Sequence, residues 1–223
     1  FSIAFDNNYI ASLPADTKIE VTYNAVVNEK AKIDPGANEN EAYLTFGNSQ
    51  ETAHDKTYTY LYQFDLIKYS GTSGKLLGGA QFILYDAETG GNEIKLVKDN
   101  TTGIYRVATA TEIANHNTVD HIETVPGQTV RISGLDKKVY WLDEILPPAG
   151  YNDLPGRAKV DLQSGSKTAL ADRLTNGYDE ANASSIGGVP IVNNAGTTLP
   201  GTGGIGTTIF YVIGGGLMAA AAI

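Results

Sequence analysis

Three residues of this chain carry side chains that could react with one another: Lys68, Glu144 and Asn193. Each lies in a run that alternates with period two, so successive side chains point to opposite faces of a strand. Within 57–69, Tyr58, Tyr60, Tyr62, Phe64 and Leu66 share one face, and Lys68 continues it. Tyr140 and Leu142 share a face with Glu144, as Val189 and Ile191 do with Asn193. Singly, each residue has an ordinary explanation. A lysine can snorkel from a strand end, a glutamate can cap a turn, and an asparagine can end a strand. Together they are an amine, a carboxyl and a carboxamide aimed at the apolar side, the reactants for a Lys–Asn amide crosslink.

Burial sets the chemistry. Apolar surroundings disfavour charge, so a buried lysine loses its proton and becomes a nucleophile, while a buried glutamate keeps its own. The neutral acid can polarise the Asn carboxamide and carry a proton to the departing ammonia. Contact inside a fold supplies the effective concentration that uncatalysed amide exchange lacks. Such a reaction happens once per chain, so the expectation is a self-crosslinking protein and not an enzyme. It requires no cofactor.

The elements that must position these groups read as strands. Residues 18–27 and 41–46 alternate and are separated by the turn signal Asp34-Pro35-Gly36. A polar stretch, 47–56, marks a domain boundary. Strands resume over 57–69, 79–85, 94–98, 104–108, 129–133, 139–144, 158–162 and 189–193, punctuated by turn residues. This count and spacing predict an all-β fold, an immunoglobulin-like antiparallel β-sandwich over 57–195. Residues 164–188 are polar and weakly patterned and read as a long loop.

Composition narrows the function. A net charge of −9 argues against nucleic acid and anionic membrane surfaces as partners. With 42% hydrophobic residues the chain can build a core, and with no cysteine it must be fastened by something other than disulfides. The three histidines, His54, His116 and His121, are too scattered for a metal site. Near the C-terminus, Leu199-Pro200-Gly201-Thr202-Gly203 precedes an apolar run, 205–223, without a charged residue. As a helix rising about 1.5 Å per residue, that run approaches the roughly 30 Å hydrocarbon core of a bilayer.

These motifs resemble a known family. Tyr140-x-Leu142-x-Glu144 followed by Pro148-Ala149-Gly150-Tyr151 is similar to the "E-box" of collagen-adhesin B-type (CnaB-like) domains in Gram-positive pilins. The segment around Lys68 with 79–86 resembles that family's first two strands, and Val192-Asn193-Asn194 its last. The resemblance covers roughly 57–206 and is most specific at the E-box. It implies an isopeptide bond between Lys68 and Asn193 with Glu144 as catalyst. Asn194 is the alternative acceptor, and only strand phase favours its neighbour. Residues 1–50 are similar to the end of the penultimate domain of backbone pilins. There Asn40, in phase with Ala42, Leu44 and Phe46, is the candidate acceptor of a second bond whose other members would lie upstream of Phe1.

Residues 199–223 resemble the LPxTG sorting signal of Gram-positive surface proteins, which sortase cleaves between the residues matching Thr202 and Gly203. The family pattern ends in a Lys/Arg tail, whereas this chain stops at Ile223. It also starts at Phe1, without Met or a secretory signal. The expectation is therefore the C-terminal piece of a longer precursor. The resemblance implies a shaft pilin, fimbrial and covalently polymerised, anchored in the cell wall at the cell surface. Its implied partners are sortase, other pilin subunits, peptidoglycan and host surface ligands, with transient membrane insertion by 205–223. The alternative is an anchored adhesin or minor pilin that uses the same β-domains as a stalk.

Overall fold

The structure, a computed structural model, describes residues 1–25, 27–28 and 30–196. Its strands are β1 (Asn38–Ala42), β2 (Thr45–Phe46), β3 (Gln50–Glu51), β4 (Asp55–Thr59), β5 (Tyr62–Ser70), β6 (Gln81–Tyr85), β7 (Leu96–Lys98), β8 (Tyr105–Val107), β9 (Ile122–Glu123), β10 (Val130–Leu135), β11 (Val139–Leu146), β12 (Ala158–Asp161) and β13 (Val189–Asn193). Three short helices, α1 (Asn7–Ser12), α2 (Ala110–Ala114) and α3 (Ala183–Ile186), complete the elements used below.

From Leu61 onward the chain is a β-sandwich. One sheet has the strand order β13-β5-β10-β8-β7 and the other β12-β11-β6-β9. Alternation supplies the core between them. Phe64 and Leu66 from β5 meet Phe82 and Leu84 from β6, Tyr140 and Leu142 from β11, and Ile191 from β13. The fold is all-β, a sandwich of the immunoglobulin-like kind that the spacing predicts. It is not purely antiparallel, however, because β13 pairs parallel with β5 and β10 pairs parallel with β8.

The parallel pairing of the first and last sandwich strands needs a crossover, and this explains residues 164–188. That stretch is packed, not loose. Leu174, Tyr178 and Ile186 lie over Ile67 and Tyr69, forming a second small core on the outer face of β5. Strand β5 is consequently covered on both faces. The crossover rejoins the sheet through Gly187 and Gly188, both at positive φ. A Cβ on Gly187 would stand 2.3 Å from the Thr168 carbonyl oxygen, so no side chain fits there.

The first sixty residues differ from the sequence reading. Residues 18–25 form no strand, and the predicted strand 57–69 is broken at Tyr60 between β4 and β5. Strand β1 pairs with β4, and β2 with β3, as exposed two-stranded ribbons. No described residue before Leu61 is buried. Tyr58 and Tyr60 are therefore outside the core that Tyr62 enters. Among the described residues no helix is long and apolar enough to cross a membrane, and residues 199–223 lie outside them.

Candidate functional site

Strands β5, β11 and β13 bring Lys68, Glu144 and Asn193 together inside the sandwich. The register of β13 on β5 places Ile191 opposite Lys68 and Asn193 opposite Ser70. Both Lys68 and Asn193 face inward, and the lysine stem covers the two-residue offset along the strand. Glu144 enters from the facing sheet, opposite Phe82 of β6. Immediately beyond it the β11 register shifts and Ile145 and Leu146 turn outward to solvent.

The contacts are direct. Lys68 Nζ donates to Asn193 Oδ1, and lies 3.2 Å from Glu144 Oε1. Asn193 Nδ2 donates to Glu144 Oε2 at 2.9 Å and Oε1 at 3.2 Å, and to the Asn152 carbonyl at 2.9 Å. The Leu154 N–H donates to Glu144 Oε2 at 3.2 Å. The side chains of Lys68 and Glu144 have no solvent exposure, and the Phe82 ring lies 5.8 Å from the amine. Burial pushes the Lys68 amine below the ordinary lysine value, against the opposing pull of the Glu144 charge and hydrogen bond.

The carboxamide orientation revises one mechanistic expectation. Its nitrogen faces two acceptors, Glu144 and the Asn152 carbonyl, while its oxygen faces the amine. A flipped amide would set oxygen against oxygen. Glu144 therefore stands beside the leaving nitrogen and the attacking amine, where a carboxyl can relay a proton. It is not placed to polarise the carbonyl oxygen.

The other residues singled out from the sequence are placed apart from this cluster. Asn194 is exposed, with its side chain against Gly71 and its carbonyl accepting from the Asn152 N–H. Asn40 is exposed in β1 and accepts from the Tyr23 hydroxyl at 2.7 Å. Residues Leu199, Pro200, Gly201, Thr202 and Gly203 lie outside the described residues.

Two features had no signal in residue type. The Asn152 carbonyl and Leu154 N–H are backbone groups, which any residue supplies. Asp65, on the solvent-side phase of β5, is buried beneath the crossover. It accepts from Arg131 Nε at 2.7 Å and Nη2 at 2.9 Å, and from the Ala169 N–H at 2.7 Å. Among the described residues no buried side-chain nitrogen or oxygen lacks a hydrogen-bond partner.

Residues 62–173, half of the chain, match the SpaA prealbumin-like fold domain. The chain belongs to this family. The match runs from β5 through β12 and ends inside the crossover, short of β13 and Asn193. No curated protein matches the sequence.

Similar solved structures include the pilus 2b backbone protein of group B streptococcus, at 25% identity and a TM-score of 0.45 over 77% of this chain and 53% of that one. Another is the minor pilin of Streptococcus agalactiae, at 20% identity and a TM-score of 0.41 over 69% and 58%. A third is the full-length major pilin of Streptococcus pneumoniae, at 15% identity and a TM-score of 0.38 over 71% and 37%. The chain thus spans little more than half the length of the first two.

Proposed function

We propose that this chain belongs to a structural subunit of a covalently polymerised Gram-positive pilus, stabilised by a self-formed Lys68–Asn193 isopeptide bond. The observation that carries the reading is the buried contact of amine, carboxyl and carboxamide in a SpaA-family sandwich. The pilin-like sorting motif at Leu199–Gly203 supports the same reading.

In the reaction, the neutral Lys68 amine attacks Asn193 Cγ. The Nζ–Cγ bond forms and the Cγ–Nδ2 bond breaks. One proton passes from Nζ through Glu144 to Nδ2, which departs as ammonia. The product amide links β5 to β13, 125 residues apart in sequence. A pull between the two ends of the sandwich then runs along β5, across the amide and out at Asn193, the last residue of β13, leaving the intervening strands unloaded. Sortase acts at Thr202, joining subunits or anchoring them to peptidoglycan at the cell surface, and residues 1–50 form part of a preceding β-domain.

Intact mass tests the bond. A recombinant chain ending before Leu199 should be lighter than its sequence by one ammonia, and its Glu144→Ala variant should not. Tandem fragmentation should place the link at Asn193. Full mass in a folded parent would reduce Lys68 and Glu144 to a buried ion pair.

A further inference from the structure

We infer that the segment Gly150–Leu154, zipped to the chain just beyond Asn193, is a positioning device that holds the Asn193 carboxamide for attack. This rests on the crosslinking reading above and adds residues that do not themselves react.

After Asn193 the chain does not leave the domain at once. The Asn152 N–H donates to the Asn194 carbonyl at 3.0 Å, the Gly196 N–H donates to the Gly150 carbonyl at 2.9 Å, and Tyr151 bridges antiparallel to Ala195. This short ladder fixes Asn152 beside Asn193, and the Asn152 carbonyl accepts from Asn193 Nδ2 at 2.9 Å. Two residues on, the Leu154 N–H steadies Glu144 Oε2. One backbone segment therefore holds both the leaving nitrogen and the carboxyl that serves it.

The carbonyl matters because a carboxamide can rotate. With only Glu144 as partner, the amide could turn its oxygen to a protonated carboxyl and carry its nitrogen toward the amine. A carbonyl accepts and never donates, so the Asn152 oxygen makes the choice one-sided. It keeps the oxygen and Cγ toward Lys68 and gives departing ammonia a second acceptor. The turn into the segment requires Gly150, whose φ is +84°. No atom lies within 4 Å of a Cβ built there, so the requirement is one of backbone conformation and not of space.

The test uses two variants of the chain and a control, pulse-translated in a cell-free system and followed by intact mass. Gly196→Pro deletes the N–H that anchors Gly150, at a site beyond β13 and outside the core. Gly196→Ala keeps that N–H; its Cβ would stand 3.2 Å from the tip of the Asn152 side chain and in ordinary contact, at 3.5 Å, with the Gly150 carbonyl oxygen. Gly150→Ala strains the turn itself. Ammonia loss should slow about tenfold or more in Gly196→Pro and Gly150→Ala, the scale expected for misplaced reactants. Gly196→Ala should react at the parental rate.

The same substitutions in the non-reacting Glu144→Ala background report stability separately. A rate that falls only as far as the folded fraction falls would overturn the inference, as would parental rates in both variants. A parent that never loses ammonia would instead overturn the crosslinking reading, and the inference with it.

Discussion

The two faces of β5 each bury a charged residue, and the two are built to opposite ends. On the inner face Lys68 meets Glu144 and Asn193, with no exposure of the lysine or glutamate side chain. On the outer face, three positions earlier, Asp65 is held by both arms of Arg131 and by the Ala169 N–H. Arginine remains charged, and Asp65 raises its pKa further. It can serve as a fixed fork for a carboxylate but never as an amine nucleophile. A lysine under the same burial can shed its proton. Burying an ion pair therefore does not make a reactive site. The inner face differs by having a base that can be neutralised and a carboxamide whose nitrogen can leave.

The largest effect should come from disabling the inner face. Glu144→Ala should leave the crosslink unformed and lower the free energy of unfolding by about 5 kcal/mol, the chain-entropy value for closing a loop of this length. Denaturant midpoints of parent and variant measure it. Equal midpoints would show that no covalent fastening distinguishes the two faces.

The outer face should respond asymmetrically. Arg131→Met strands a carboxylate that is 1% exposed and should cost about 3 kcal/mol. Asp65→Asn leaves an arginine whose side chain is 39% exposed and can rehydrate, so its cost should be nearer 1 kcal/mol. The reverse order would mean that Arg131, and not Asp65, is the desolvated member.

What the sequence made legible follows the same division. The inner face could be read because β-alternation places Lys68, Glu144 and Asn193 in phase with Leu66, Leu142 and Ile191, and one core lies behind them all. The outer face could not. Asp65, Ile67 and Tyr69 share the solvent-side phase, and nothing local reveals that a crossover will cover them. Its apolar residues Leu174, Tyr178 and Ile186 are too sparse among polar and small residues to mark an element, so the stretch reads as loop. The parallel pairing of β13 with β5 is non-local and equally silent. In residues 18–25 the error runs the other way: Ile19, Val21 and Tyr23 alternate well, yet without a partner strand they stay exposed.

The outer core offers a milder test. The Tyr69 hydroxyl donates to Glu180 Oε1 at 2.8 Å, tying the crossover to β5, and its ring lies 4.3 Å from that of Tyr178. Tyr69→Phe keeps the ring and should lower stability by about 1 kcal/mol, with ammonia loss unchanged. A slowed reaction would show that the outer core sets the register of β13 and so the place of Asn193.

Charge pairing at the surface, in the ribbons before Leu61, should give the smallest effect. His54 joins Glu41 at 2.9 Å and Glu51 at 3.2 Å while its ring stacks on Tyr43. Hydrogen bonds to the two glutamates raise its pKa, and hydrogen bonds from His54 and Lys56 lower that of Glu41. The folded ribbon therefore binds the histidine proton more tightly than the unfolded chain does. Its stabilisation is complete below the unfolded value of about 6.5 and fades as pH rises through the folded one. The Glu41 contribution has the opposite sense, present above the unfolded carboxylate value and lost as pH falls through the depressed one. Amide protection factors in β1 and β4, exchange rates corrected for their intrinsic pH dependence, should thus be highest between these limits, and moderate salt should weaken the effect. His54→Gln should remove the upper limb and shrink the lower, because the His54 hydrogen bond is the largest cause of the depressed Glu41 value and Lys56 the next. Protection factors that stay flat through the His54 titration would mean the exposed cluster stabilises nothing measurable, the outcome common for surface ion pairs. That result would sharpen the contrast with β5, where burial makes each charge consequential.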